Sequence, residues 1–341
     1  MYKKIAVILI IVPFLVFDFG CGKKDENKQT STDTSGVSKL ITTDPGTGKQ
    51  KVSLKYMVRK GEKFSYKMTA KTSTTEKSPA TDDKEVKQDN EINYFYTKEV
   101  TDLDASGIMT FRVTFDSIKI TSVQGEQSIN YNSNVNDTVH SNPAFIQYNS
   151  VIKEPLFIRV SPEGEITDVY GLEKIYDNIF KALGDTLKEA DKESIKASFG
   201  KESISEILQQ EYQMVPKQDV LVDSSWVKSY DTQILFFDVK NSAKYTLKGI
   251  EDKNGDKIAN IEAGLNVEFL KKEVEERGVK LHIENSETSG SGKIAFDLNR
   301  GCIMNKETTT SLKLEMKMSA QGQSAKSEQT VVTNLYVSLL N

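Results

Sequence analysis

Met109-Thr110-Phe111-Arg112-Val113-Thr114-Phe115-Asp116 alternates an apolar side chain with a polar one at every step. A period of two puts Met109, Phe111, Val113 and Phe115 on one face of a strand and Thr110, Arg112, Thr114 and Asp116 on the other. One buried and one wet face is the pattern of an antiparallel sheet covered on a single side. Working outward, Ile92-Asn93-Tyr94-Phe95-Tyr96 precedes it across a turn at Ala105-Ser106-Gly107. Earlier still, Leu54, Tyr56, Val58 and then Phe64, Tyr66, Met68 read as strand, Lys60-Gly61 turn and strand. Leu156 to Val160 and Ile166 to Val169 form a further hairpin across Pro162-Glu163-Gly164. The polar stretches Lys71 to Asn90 and Gly125 to Asn142 read as loops or an extended hairpin tip.

After this block the period changes. Leu172, Ile175, Tyr176, Ile179 and Leu183 are spaced for one helix face, as are Ile204, Ile207, Leu208, Tyr212 and Val215 before Pro216. Alternation then returns. Ser224-Ser225-Trp226-Val227-Lys228-Ser229-Tyr230 echoes Gly61 to Tyr66, Asn254-Gly255 marks a hairpin, and Ile294 to Ile303 echoes Phe157 to Ile166 around Gly301 and Gly164. A diverged duplication is expected. Two long one-sided strands close the chain: Leu312, Leu314, Met316, Met318, then Val331, Thr333, Leu335, Val337, Leu339. The expected fold is α+β: a large antiparallel sheet, as a half-barrel or two duplicated lobes, with a mid-chain helical segment packed on it. Its divisions are a β-rich lobe over 51–171, a helical segment over 172–216 and a second β-rich lobe over 217–341.

The first 50 residues carry an address. Lys3 and Lys4 precede a 13-residue apolar run, Ile5 to Phe17, and then Asp18-Phe19-Gly20-Cys21. A spanning helix needs roughly 17–25 residues, so the run reads as a secretory leader over 1–20. A Cys directly after a small residue resembles the lipidation site of bacterial lipoproteins, which implies an acyl anchor on Cys21, although Asp18 stands where that pattern prefers a Leu-like residue. Gly22 is not the Asp that retains such proteins at the inner membrane, so the resemblance implies the outer membrane. Lys23-Lys24-Asp25-Glu26 is similar to a surface-export tether. From Cys21 to residue 50 the chain is nearly all polar, and a disordered linker is expected.

Composition excludes several classes. Net charge is −4, and removing a leader with Lys3, Lys4 and Asp18 leaves −5, which argues against nucleic acid. With two cysteines and Cys21 acylated, Cys302 has no intramolecular partner, and core burial must stabilise the fold. The two histidines, His140 and His282, stand in no zinc-ligand spacing, so neither a metal nor any other cofactor is expected. Ser289-Gly290-Ser291-Gly292 lacks the strand-to-helix context of a nucleophile elbow. Asp252 to Asp256 lacks the acidic spacing of a calcium loop.

Leu54-Lys55-Tyr56, Lys60 to Phe64, Val160 to Ile166, Trp226, and Gly290 to Asp297 with Gly301 together resemble a family of bacterial lipoproteins common in Bacteroidetes and carrying a domain of unknown function. The element order is also similar to lipoprotein-carrier half-barrels. The expected function is therefore that of a non-enzymatic, membrane-anchored envelope protein of binding or structural type. Tyr94, Tyr96, Phe111 and Phe115 are candidate contacts for a lipid or other apolar ligand. Two alternatives stand beside it: an envelope hydrolase built from scattered residues such as His282, Cys302 and Ser291, and an interaction module using exposed sheet edges to take a protein partner.

Overall fold

The computed structural model describes residues 40–135, 142–184, 187–209, 211–212, 214–276, 278–320 and 323–340. The leader, Cys21, most of the linker and His140 lie outside them. In chain order the elements are β1 (Ile41–Thr43), β2 (Gln50–Val52), β3 (Lys63–Lys77), β4 (Val86–Leu103), β5 (Met109–Gln124), β6 (Gln127–Asn132), α1 (Ile146–Val151), β7 (Pro155–Val160) and β8 (Ile166–Tyr170). There follow α2 (Glu173–Leu183), α3 (Glu189–Ser198), α4 (Lys201–Gln209), β9 (Val220–Leu221), β10 (Ser225–Ile234), β11 (Phe237–Lys253), β12 (Asp256–Phe269), β13 (Glu273–Glu276), β14 (Val279–Asp297), β15 (Cys302–Ala320) and β16 (Gln323–Leu339).

Among the described residues, 13 strands form one antiparallel sheet in the order β10-β11-β12-β14-β15-β16-β3-β4-β5-β7-β8, with β13 on β14 and β6 on β5. The last strand is what unites the two expected lobes. β16 lies between β15 and β3, with Leu335 opposite Ala70 and Val337 opposite Met68. The sheet coils toward one face without closing into a barrel. Its ends approach where Lys228 of β10 donates to the carbonyl of Glu163 in the β7–β8 turn, at 3.0 Å. A second, three-stranded sheet of β1, β2 and β9 packs on the inner face through Val52 and Val220.

The alternation of β5 is realised in full: Met109, Phe111, Val113 and Phe115 are buried, and Arg112 is exposed. The Asn254-Gly255 turn has φ of 57° and 92°, which a two-residue hairpin turn of this hand requires at both positions. The α2 stripe buries Ile175 and Ile179 against the sheet, worth about 1.5–3 kcal/mol per side chain. The segments proposed as duplicates fall on matching elements. β3-β4-β5 and β10-β11-β12 are both three-strand meanders, and the hairpins β7–β8 and β14–β15 both turn at a glycine of positive φ, Gly164 and Gly301.

Lys71 to Asn90 is the extended hairpin tip, one of the two forms expected, because Thr, Ser and Gln pair across β3 and β4 as well as apolar residues do. Three expectations are corrected. Leu54 to Val58 alternates in burial yet forms no strand; it passes over the Gly301 turn, where a Cβ would stand 2.0 Å from the Met57 nitrogen. The linker ends before residue 50, since Leu40 and Ile41 pack on the Val52–Leu54 cluster and Ile41 pairs with Val52. The last helix stops at Gln209, six residues short of Val215, because Glu211 and Tyr212 are held by the sheet interior.

Candidate functional site

Two regions of the inner face hold polar groups where the core should be apolar. The first lies beneath the end of α4. Lys98 shares the inward parity of Tyr94, Tyr96 and Val100 on β4 and is 3 % exposed. Its ammonium pairs with Glu211, itself 2 % exposed, and donates to the Tyr212 hydroxyl at 2.9 Å. It also lies 4.4 Å from the Tyr66 ring, 4.7 Å from the Tyr212 ring and 5.5 Å from the Phe111 ring, a cation held by aromatic faces. Tyr96 donates its hydroxyl proton to the other Glu211 oxygen, and Tyr56 donates to the Glu211 carbonyl at 3.3 Å. Burial, helped by the Glu211 charge, holds the Tyr56, Tyr96 and Tyr212 phenols well above their usual range. A void of about 10 Å³ adjoins this network, walled by Phe111, Tyr66, Cys302 and Gly301 among others. Burial pushes the Cys302 thiol up to about 12, so it is a protonated core residue.

The network works as a clamp. Gln209 accepts from the Ile166 amide at 2.8 Å and donates to the Gly164 carbonyl at 2.6 Å, which fixes α4 to the β7–β8 turn. At Gly164, with φ of 80°, any Cβ would stand 2.0 Å from the Tyr212 carbonyl oxygen.

The second region is a cleft in the C-terminal half. It encloses about 20 Å³ and is walled by Ala243 and Tyr245 of β11, Ala263 and Leu265 of β12, Gly290 and Ile294 of β14, and Lys306, Thr308 and Thr310 of β15. Helices α1 to α4 pack on the other half of the sheet, so Ala263, Leu265, Gly290 and Gly292 stay only half-buried. Below the cleft, Ile234, Phe237, Val239, Ile283, Leu312, Leu314 and Met316 form one apolar cluster. Partly buried Leu235, Val267, Phe269, Val274 and Leu281 pack against that cluster. Among the described residues Lys306 is the cation on the cleft wall; it is 5 % exposed, and burial lowers its ammonium to about 8 while Glu211 opposes the shift.

The sequence-selected residues distribute unevenly over these regions. Tyr94, Tyr96, Phe111 and Phe115 are all buried in the helix-covered core; the Tyr96 and Phe115 rings lie 5.7 Å apart and the Phe111 and Tyr212 rings 5.9 Å apart. Phe111 walls the smaller void and none of the four reaches the cleft. His282 and Ser291 are nine residues apart on the extended β14, about 30 Å, and Cys302 faces Asp297 farther along. That triad does not assemble; His282 is instead half exposed and 3.7 Å from Glu273. Among the described residues no three His, Cys, Asp or Glu side chains gather as a metal would need, and no helix is long and apolar enough to cross a membrane. Sequence reasoning passed over Lys98 and Lys306, though each stands at an inward position of a clean alternation.

The fold and site define a coiled antiparallel-sheet protein, half sealed by helices and half open along an apolar cleft. The chain belongs to the Family of unknown function (DUF6263), whose model matches residues 106–303. No curated protein matches it. Among solved structures, lipovitellin, described for its lipid–protein interactions, is similar at 8 % identity and a TM-score of 0.43, over 84 % of this chain and 26 % of that one. The chain thus spans about a quarter of that protein's length. DynF from the dynemicin pathway of Micromonospora chersina aligns at 7 % identity and a TM-score of 0.18 over 92 % of each chain. OccK5 of Pseudomonas aeruginosa aligns at 8 % identity and a TM-score of 0.24 over 82 % of this chain and 99 % of that one. Likenesses at this level carry no argument about what the chain does.

Proposed function

We propose that this is a membrane-tethered, non-enzymatic binding protein of the bacterial cell envelope, holding an apolar ligand in the cleft of its coiled C-terminal half. The observation that carries this reading is the half-open inner face of β11, β12, β14 and β15, where small residues leave a walled space beside a continuous apolar cluster. The enclosed space is only about 20 Å³, so a ligand chain would lie along the open face rather than inside a closed cavity. An apolar chain lying there would remove the Leu265, Val267 and Phe269 side chains from water. The tether is the acyl group at Cys21, and the sequence that supports it is the leader with its Gly20-Cys21 junction.

The test uses the full-length protein in its own membranes. A neutral photoactivatable hydrocarbon chain is added, crosslinked by light, and the modified peptides are mapped by mass spectrometry. Labelling is expected on β11, β12, β14 and β15 and is lost in Ala263→Phe, which fills the cleft. Labelling confined to surface tips, or unchanged by Ala263→Phe, overturns the reading. Incorporation of labelled palmitate that disappears with Cys21→Ala tests the tether separately.

A further inference from the structure

Building on the tethered reading, we infer that the Leu235-Phe236 turn and Leu270 seat in a lipid leaflet as an apolar wedge, at the open end of the β12 inner row.

The argument starts from a turn whose chemistry does not suit water. β10 and β11 pair down to Ile234 opposite Phe237, which leaves Leu235 and Phe236 as a two-residue hairpin turn. Gly, Asn and Asp dominate such turns, because at least one residue must take a positive φ. Here Leu235 takes it, at 56°. The other non-glycine residues of positive φ among those described are Asp82, Asp83, Lys153, Asp223 and Asn254, all polar. A leucine in the left-handed region is strained, and such strain persists where function holds it. Phe236 beside it is 44 % exposed.

The neighbouring strand end adds to the same corner. The Leu270 amide donates to the Asp238 carbonyl at 2.9 Å, so Leu270, 49 % exposed, stands one strand away from the turn. The β3–β4 turn, Lys77 to Glu85, and the β5–β6 turn, Gly125-Glu126, lie at the same end of the sheet and carry no large apolar side chain. Behind the corner, Leu235, Val267 and Phe269 pack on the cluster of Phe237 and Val239, and the β12 row continues through Leu265 and Ala263 to the cleft wall. Apolar surface thus runs unbroken from corner to cleft.

Size, reach and charge select the occupant. Two half-exposed side chains present on the order of 200 Å², whereas a stable protein interface takes roughly 800 Å² from each partner. A protein already held at a membrane needs far less, because its tether makes the second contact intramolecular. Leu40 packs on the cluster that includes Leu247, and from there β11 runs roughly 34 Å to Phe237. The chain from Cys21 to Leu40 spans at most about 65 Å, which is enough to bring the corner to the leaflet. Lys271 and Lys272 follow Leu270 and are exposed, placed for their ammonium groups to rise to the headgroups. Asp238 and Glu268 are also exposed there, so burial of apolar area holds the corner rather than attraction to anionic lipid.

The experiment uses the full-length acylated protein in phosphatidylcholine vesicles whose acyl chains carry bromine, a contact quencher of tryptophan. Trp226 is the single native tryptophan, and Phe236→Trp adds one at the corner. The added emission is expected to be lost in brominated vesicles, while the unmodified protein, reporting Trp226 alone, stays unquenched. Adding Leu270→Glu restores the emission, with a thermal melt confirming that the variant folds. An unquenched corner tryptophan in protein that floats with the vesicles overturns the inference and leaves the tether standing. If sedimentation then shows two chains that Leu270→Glu separates, the corner belongs to a second copy. Quenching that appears only after phosphatidylglycerol is added assigns the contact to the lysines and overturns the apolar wedge. Unmodified protein that fails to float overturns the reading beneath, so the two failures are told apart.

Discussion

Under the helices, the inner face of β3, β4 and β5 carries Tyr66, Tyr94, Tyr96, Phe111 and Phe115; across the sheet, the inner face of β11, β12 and β14 carries Ala243, Ala263, Gly290 and Gly292. The first half is covered by a second layer, and large rings fill the space between layers. The second half meets no helix among the described residues; the small sheet of β1, β2 and β9 covers part of its inner face through Val52 and Val220, and small residues line the part left over. Close packing requires that space be filled by side chains or removed by the backbone. The coiled half removes most of it and keeps the remainder as the cleft.

If the helix-covered half depends on its clamp, cutting the clamp should separate the two halves. Glu211→Ala leaves the Lys98 ammonium buried among Tyr66, Tyr212 and Phe111 without its carboxylate. Stranding one partner of a buried pair costs about 3–5 kcal/mol. Hydrogen exchange should show α2 and α4 losing protection while β11 and β12 keep theirs. Uniform loss across both would mean that β16, pairing with β3, couples the halves into one cooperative unit, and the comparison would then describe geometry only.

Much of this contrast is written in the sequence, but in uneven script. The Met109–Phe115 alternation and the Leu172–Leu183 stripe each describe one element, and period alone reveals them. The cleft does not show itself that way. Aromatic residues such as Tyr94 and Phe111 draw attention as ligand contacts, yet large side chains fill space; the cavity lies where Ala and Gly fail to fill it, and those residues carry little pattern. Lys98 and Lys306 were legible as charges at inward positions. Their partners were not, because Glu211 lies 113 residues from Lys98 and follows a helix whose spacing runs past its true end at Gln209. Long-range pairing of this kind is a property of the coil, and no local period encodes it.

The seam between the halves offers a second, smaller perturbation. Gly301 has φ of 60°, and a Cβ there would stand 2.0 Å from the Met57 nitrogen and 2.9 Å from the Lys55 carbonyl. Gly301→Ala must either shift its turn or push away the segment that seats Val52 and Leu54 in one cluster and Val58 in the other. The left-handed backbone alone costs about 1–2 kcal/mol for alanine. Urea unfolding should show both halves weakened together, by about 2 kcal/mol, in contrast to Glu211→Ala. A loss confined to one half would place Gly301 on that side and remove it from the seam.

The smallest effect concerns how wet the cleft is. Burial lowers Lys306 from 10.5 to about 8, so below pH 8 both folded and unfolded chains carry its charge and the folded state bears the full burial cost. Between about 8 and 10.5 the unfolded chain binds the proton and the folded chain does not, so stability rises with pH through that window. Lys228, also lowered to about 8, adds to the same rise; the raised Cys302 thiol opposes it once the unfolded thiol ionises near 9, and the raised Tyr56, Tyr66, Tyr96 and Tyr212 do so once unfolded phenols ionise near 10. The usable window is therefore about pH 8 to 9. Melting temperatures of Lys306→Met should climb less across it than those of the unmodified protein, by about 1–2 °C, with Lys228 supplying the rise that remains. An equal climb in both proteins would mean that water already reaches the Lys306 ammonium. The coiled half would then be open along its inner face rather than half sealed, and the contrast with the helix-covered half would be sharper still.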